Sequence, residues 1–575
     1  MSTQDPFRPA PDRPAPRVAG EPVPAPPSTS RVHSACTLLL LRDGASGIEV
    51  LMVERAAEAR FLGGYHVFPG GRLVADDASP RALVRIVGLS AAEAGERLET
   101  PDALAWWMAA VRETYEECGI LLAVDASGSP PDGAARSAFR AARPALNAGE
   151  VAFSELLLTH GLFVRAPDLA YFDRWITPAF RPQRFDTRFF AARAPAGQDA
   201  IHDGAEVVAA AWLRAAEAIS AAKRGEISIA NATETMLRRL ADQPNVDTAL
   251  AAARATRRIE PNRICVAQGS AGRKFFYRDD PQYAEIHWCD PDETMQTSYE
   301  IVPGIPKRLD RWVTRLTAPN PGVMTGPGTN TYFVGEREFA LVDPGPDDAR
   351  HLEAVLRHGQ GRIRWILCTH AHRDHSPAAA TIARDTGAQV IGMPAPAGLR
   401  HDPTFAPDRI VVDGETLRLG EVSLTVIHTP GHAANHLCFR LGQSGMVFTG
   451  DHVMQGSTVT IGPPDGDMRA YLASLEKLLA IDAPILAPGH GYLIGVPGRE
   501  IRRLIRHRRW REARVLDAVR RLGPASVDEL VGDVYPQIPP ALHRAAAQSL
   551  EAHLVKLVDD DAVVAHAGRY TAASR

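Results

Sequence analysis

Within THAHRDHS, residues 369–376, the chain sets His370, His372, Asp374 and His375 inside six positions. Metal-binding donors at that density imply a binuclear metal site, and the fold must bring this loop against the partners that follow in order: His432 in HTPGH, Asp451 in FTGD and His490 in PGHG. A solvated, histidine-rich turn would explain the first segment but not the three later motifs. Neutral imidazoles mixed with carboxylates favour Zn²⁺ or related transition ions over Mg²⁺. Two such cations side by side lower the pKa of a bridging water and clamp the attacking and leaving oxygens of a hydrolysis.

A second candidate site lies upstream. FPGG at 68–71 precedes RETYEECG at 112–119, and DALAWWMAAVRETYEEC, 102–118, has helical apolar spacing with Asp102 as a cap and Gly119 as a stop. On such a helix Glu113, Glu116 and Glu117 share one face. Like charges so placed repel unless a divalent cation holds them. Hard oxygen donors favour Mg²⁺ or Mn²⁺, which also bind the oxygens of a diphosphate. The alternative is a solvated acidic face, and the flanking FPGG, Arg112 and Gly119 favour the functional reading.

At 575 residues and 45% hydrophobic, the chain is long enough for about three or four domains, so the two sites need not share a core. A net charge of −4 leaves no global field toward nucleic acid or membrane. The six cysteines are scattered with no CxxC pair, as expected of a chain in a reducing cytoplasm, and none stands at a ligand position. Residues 1–30 are proline-rich, lack the apolar run of a signal or membrane span, and read as a disordered tail. The runs ACTLLLL (35–41) and IEVLMV (48–53) about RDGASG predict strand, turn and strand. EVVAAAWL (206–213) predicts another strand, followed by a helical stretch over 214–241. From about 301 the pattern restarts: TNTYFVG, FALVDPG, WILCTH and AQVIGM alternate with helix-like segments, an α/β layering with ligands on loops at strand ends. Residues 500–575 predict three helices and a terminal strand pair at VVAHAGRY. The expected divisions are a tail at 1–30, a first domain at 31–250, a connecting region at 251–300, a metal-binding domain at 301–500 and a helical appendage at 501–575.

The FPGG loop and RETYEECG helix resemble the box of the Nudix hydrolases, which implies an α/β/α domain. By that resemblance Glu116 and Glu117 are metal ligands, Glu113 is the base or a further ligand, and Arg112 orients the glutamates. Gly70 and Gly71 form the glycine loop, Gly71 lending its carbonyl to the metal. The box is interrupted by an insertion, 78–101, and Asp77 stands where a glutamate is usual. Glu206 is either a remote ligand or a structural residue. The stretch LMVERAAEARFLGGYHVFPGG is also similar to the coenzyme A diphosphatase branch, with Arg60, Gly64 and Phe68 at the recurring spacing and Val53 and Arg55 replacing the expected threonines. Arg60 and Gly64 are thereby expected to bind a coenzyme A-like substrate, and another nucleoside diphosphate derivative remains open.

The downstream motifs resemble the metallo-β-lactamase superfamily, which implies an αββα sandwich. Carried across, His370, His372 and His432 hold one metal, Asp374, His375 and His490 the other, and Asp451 bridges; Asp374 is also a candidate catalytic residue. The bridging Asp451 and the DH pair argue against a true lactamase. Asp343 in LVDPG either orients ligands or is a turn residue. GPGTNTYFVG, THAHRDHS, HTPGHAANH and the helical appendage together look like the β-lactamase-like protein 2 group, whose characterised member is a single-strand endoribonuclease, with a small winged helix at 501–575. His436 is then a leaving-group helper or a supporting residue. Seven arginines at 502, 503, 506, 508, 509, 511 and 514, with Trp510 among them, either follow a phosphate backbone or form a solvated face.

The expected fold is therefore multidomain, α/β and α+β. The expected function is a bifunctional metal-dependent hydrolase: a diphosphatase carrying Mg²⁺ or Mn²⁺, and a centre with two Zn²⁺ cleaving a thioester or single-stranded RNA. The alternative keeps only the second centre active and makes the Nudix half a binding module. A DNA-binding regulator is disfavoured, because neither a basic recognition helix nor a dimer signature is present. No membrane partner is expected, and oligomeric state leaves no mark in the sequence.

Overall fold

The computed structural model describes residues 31–573 except 60, 257–258, 397–400, 537–538 and 540–541. The proline-rich segment 1–30 and Arg60 thus lie outside the described residues. The chain forms two compact units that part between Ile264 and Cys265.

In the first unit, five strands run in the order His66–Val67, Gly47–Arg55, Val32–Gly44, Arg184–Arg193 and Leu169–Ile176, with Gly70–Arg72 added to Val32–Gly44 and Val207–Arg214 added to Gly47–Arg55. The run ACTLLLL has no polar alternation because both of its faces are covered. Leu38 and Leu40 pack with Trp107 and Val111 of helix Leu104–Cys118, whereas Leu39 and Leu41 pack with Met236, Leu237 and Leu250 of the helices behind. The result is an α/β/α layering. Helix Leu104–Cys118 ends as expected at Gly119, whose φ of +69° favours a residue without Cβ. It starts without a side-chain cap, Ala103 standing where Asp102 was expected to serve. The stretch 214–241 breaks into Ala215–Arg224 and Asn231–Ala241, because Gly225 turns the chain at φ +76°. The insertion 78–101 folds as short helices, Pro80–Leu83 and Ala91–Leu98, about a two-residue strand.

The second unit is a sandwich of a seven-stranded sheet, from Lys307–Arg308 to Arg409–Ile410, on a five-stranded sheet, from Thr416–Leu419 to Leu486–Pro488. Its central core joins the sheets through Tyr332, Val334 and Leu367 on one side and Leu424, Val426 and Phe439 on the other. Outer clusters bury the reverse faces: Phe333 and Ile366 with Val355 and Ile382, and Ile427 and Val447 with Leu475 and Ile501. These four layers are the αββα arrangement. Helices Pro497–Leu522, Val527–Val534 and His543–Asp559 with the hairpin Val563–His566 and Arg569–Ala572 close a separate small core about Val519, Leu530, Leu554 and Val563, a winged helix. Among the described residues no helix is long and apolar enough to cross a membrane.

Candidate metal centres

The histidine cluster follows strand Ile363–Leu367, His432 follows Val422–His428, Asp451 follows Val447–Gly450 and His490 follows Leu486–Pro488. All seven side chains therefore leave the C-terminal ends of strands drawn from both sheets, where loops can turn inward without breaking a ladder. They converge as two sets, His370–His372–His432 and Asp374–His375–Asp451–His490, with donor atoms in each set within 4.8 Å of one another. His372 Nδ1 lies 3.0 Å from both His370 Nε2 and His432 Nε2. Asp451 spans the sets: Oδ1 is 3.4 Å from His375 Nε2 and 3.3 Å from His490 Nε2, and Oδ2 is 3.7 Å from His432 Nε2. Asp374 Oδ2 stands 3.5 Å from His375 Nε2 and 3.3 Å from His490 Nε2, and with 30% of its side chain exposed it is the open edge of the second set.

The surroundings fix which nitrogen faces inward. His432 Nδ1 lies 2.8 Å from the carbonyl of Thr460 and His490 Nδ1 3.3 Å from that of Gly328; a carbonyl only accepts, so both rings carry hydrogen at Nδ1 and Nε2 is the nitrogen turned to the centre. Asp343 performs this task for His375, whose Nδ1 is 2.9 Å from Oδ2, while also accepting from Thr369 N at 2.7 Å and Thr369 Oγ1 at 2.9 Å. Its backbone has φ +51°, so the turn geometry and the orienting role reside in one residue. Gly489 is dictated by close approach: a Cβ there would lie 2.7 Å from Asp451 Oδ1 and 2.7 Å from His375 Cε1.

Electrostatics divides the sets. Burial, reinforced by neighbouring imidazoles, holds His370 well below the usual histidine range and His372 down at about 3, keeping both rings neutral. Burial also opposes charge on His490, but Asp451 and Asp374 outweigh it and hold that ring up at about 9. Asp374 goes the other way, burial being overcome by His375 and His490 to bring it to about 2. The donors suit cations. Among the described residues, His375 Nε2 and Asp451 Oδ1 are buried polar atoms without a hydrogen-bond partner, both aimed at the same space, and anionic carboxylates beside inward-turned ring nitrogens are the donor chemistry of a divalent ion.

His436 lies fully buried, its Nδ1 2.9 Å from Thr429 Oγ1 and its ring 5.0 Å from that of His370. His401 and Asp465 join His372 in a third set of donors. They went unseen in the sequence because each sits alone in its own loop, with no second donor at ligand spacing.

The upstream centre is organised by Arg112, which is 5% exposed. Its Nε and Nη2 donate to the two oxygens of Asp77 at 2.9 Å each, Nη1 donates to Glu116 Oε2 at 2.7 Å and stands 3.0 Å from Glu113 Oε1, and Nη2 also reaches the carbonyl of Arg72 at 2.9 Å. Asp77 is fully buried and anchors this guanidinium. Gly70 N donates to Glu117 Oε2 at 3.0 Å, and a Cβ at Gly71 would lie 2.5 Å from the Glu113 carboxylate, so the two glycines let the loop press on the acidic helix. Gly64 instead closes the turn between two strands, its N–H donating to the Arg55 carbonyl at 3.1 Å. Glu206 pairs with Arg55 at 2.7 Å, and the same guanidinium lies 3.9 Å from Glu117. Burial, with Arg112 opposing, lifts Glu113 to about 7, and burial raises Glu117 well above the usual carboxylate range. Buried carboxylates so strained by desolvation fit a cation. Yet among the described residues the three glutamates do not close within 4.8 Å of one another as the histidine sets do, Arg112 holding Glu113 and Glu116 and Arg55 standing beside Glu117.

Three family models match the chain: the metallo-beta-lactamase superfamily over 324–490, the NUDT19 Nudix domain over 84–240 and the beta-lactamase associated winged helix domain over 526–570. A beta-lactamase-like protein 2 homolog of Drosophila melanogaster is 30% identical over 278 residues, 45% of this chain and 91% of that protein. The thioesterase pkgB of Emericella nidulans is 30% identical over 245 residues, 40% of this chain and 66% of that protein. A NUDIX hydrolase structure from Alicyclobacillus acidocaldarius is similar with 31% identity, 39% of this chain and 97% of the other, at a TM-score of 0.33.

Proposed function

Since the chain belongs to the metallo-β-lactamase superfamily, carrying a Nudix domain before that fold and the associated winged helix after it, it is a hydrolase, and we propose that it hydrolyses at two separate centres. The observation that carries the second centre is Asp451, which turns one carboxylate oxygen to His375 and His490 and the other to His432. When bound, two Zn²⁺ in the second centre would supply Lewis acidity and water activation, and Mg²⁺ or Mn²⁺ in the first would neutralise diphosphate oxygens. In the second centre, His370, His372 and His432 hold one ion, His375, His490 and Asp374 the other, and Asp343 and Thr460 lock the rings that face them. Asp374, with 30% of its side chain exposed, is the donor we assign to meet the substrate. In the first, Glu116 and Glu117 hold the ion, Glu113 stands as the base, and Arg112 orients Glu113 and Glu116.

For the second centre we favour a thioester. A thioesterase is among the relatives, and four of the seven arginines on the helix are engaged within the protein, which leaves exposed Arg502, Arg506 and Arg514 for a phosphate backbone: Arg508 and Arg511 are buried and donate to the carbonyls of Val459 and Val534, Arg503 pairs with Glu500 and Arg509 with Glu476. For the first centre the substrate is a coenzyme A-like diphosphate. Incubation with an acyl-coenzyme A and both metals, read by mass spectrometry, separates the activities. Water added across the diphosphate gives adenosine 3′,5′-bisphosphate and acyl-phosphopantetheine, and water added across the thioester gives the carboxylic acid and free coenzyme A. The pair Glu116→Gln and Glu117→Gln should remove only the first products and Asp451→Asn only the second. Loss of neither product in the first pair would leave the Nudix half a binding module; absence of both products in the unmodified protein would reject coenzyme A and turn the test to single-stranded RNA.

A further inference from the structure

His401 is 8% exposed, and among the described residues neither of its ring nitrogens has a hydrogen-bond partner. An imidazole buried in that condition lacks something its site is shaped to receive, since buried polar atoms are otherwise almost always paired. Its surroundings supply the other half of a ligand set. Asp465 Oδ2 lies 3.4 Å from His401 Nε2, and the ring of His372 lies parallel to that of His401, 18° between planes and 5.8 Å between centroids. One donor atom from each of the three residues falls within 4.8 Å of the others. The two supporting loops are pinned independently. Asp402 N donates to the Ala371 carbonyl at 2.8 Å and its Oδ2 accepts from Ser376 Oγ at 2.7 Å, tying the His401 loop to the histidine cluster. Ala434 N donates to Asp465 Oδ1 at 2.9 Å, which leaves Oδ2 for His401.

The geometry points to a third divalent-cation position, held by His401, Asp465 and His372, on the flank of the binuclear centre. Two imidazoles and one carboxylate suit Zn²⁺, Co²⁺ or Mn²⁺. His372 already turns Nδ1 toward His370 and His432, and a neutral imidazole has one lone pair to give. The third position therefore competes with the first set for His372. It fills last, and filling it weakens the centre's hold on its own ion, so the flank acts as a brake engaged by excess metal.

The test uses the full chain, stripped with a chelator and titrated with Zn²⁺, with bound ions counted by equilibrium dialysis and elemental mass spectrometry. His401→Gln and Asp465→Asn, both near-isosteric, should each bind one ion fewer than the unmodified protein, the missing ion being the weakest. Excess Zn²⁺ should slow thioester hydrolysis by the unmodified protein and not by the variants. An unchanged ion count would overturn the proposal. So would weakening of both ions of the binuclear centre, which would make the pair a prop for His372, and so would inhibition that persists in both variants. The ion count needs no substrate, so its outcome is independent of whether coenzyme A is the right one.

Discussion

At the scale of single residues, Asp343 stands one step behind the donors and fixes how one of them points. Asp343 accepts from His375 Nδ1, Thr369 N and Thr369 Oγ1 with a carboxylate that is 2% exposed. Asp343→Asn keeps the shape but sets an amide hydrogen against donors. Metal affinity should fall about 10- to 100-fold in a chelator competition, and an unchanged affinity would reduce Asp343 to a turn residue. The convergence of the seven donors of the histidine sets was legible because four fall within six positions and the other three sit in motifs that follow in order. The guanidinium of Arg112 bridging Asp77, Glu113 and Glu116 was half legible: its orienting role follows from the box, but the anchor across the insertion is a contact of fold, not of spacing. His401 and Asp465 were not legible at all, since two isolated residues in different loops acquire meaning only when the loops meet.

At the scale of elements, a short helix shows how long-range pairing escapes sequence reading. Tyr283–Cys289 lies in a region whose pattern suggests only a connection, yet it inserts Glu285 fully buried against the second unit's sheet. There Arg315 Nη2 donates to Glu285 Oε1 at 2.9 Å and Lys307 Nζ donates to the same oxygen at 2.7 Å. Burial opposes the charge, but these cations outweigh it and bring the carboxyl to about 2. An unfolded glutamate titrates at about 4.3. A depressed folded value therefore contributes stability that is complete above about pH 5 and is lost as pH falls toward about 2. Acid unfolding of the second unit should show that dependence and Glu285→Gln should flatten it. Glu285→Ala, which strands the buried Arg315 and the half-buried Lys307, should destabilise by about 3–5 kcal/mol in urea unfolding; a loss under about 1 kcal/mol would mean that water already reaches the pair. The strands of the first unit were legible by contrast, because burial on both faces writes itself as an uninterrupted apolar run.

At the scale of the whole molecule, the division at Ile264 and Cys265 makes the two proposed activities separable. Residues 31–264 alone should keep diphosphate cleavage and residues 265–575 alone thioester cleavage, each with its turnover within about threefold of the full chain, since each set of candidate donors lies wholly within one unit. Collapse of either activity on separation would show that its centre needs both units. The layered architecture was legible from repeated strand and helix patterns, whereas the place of division was not, because residues 265–300 gain their partners only by folding. The cysteines add a practical consequence. Five of the six are buried and Cys289 is half-buried, and burial raises the thiols of Cys36, Cys118, Cys289, Cys368 and Cys438 above their ordinary range. With so little thiolate available, an alkylating reagent should ignore the native protein, and each thiol becomes a tamper seal. Peptide mapping of a partly denatured sample would then read out which half had opened: marks at Cys36 and Cys118 for the first unit, and at Cys368 and Cys438 for the second.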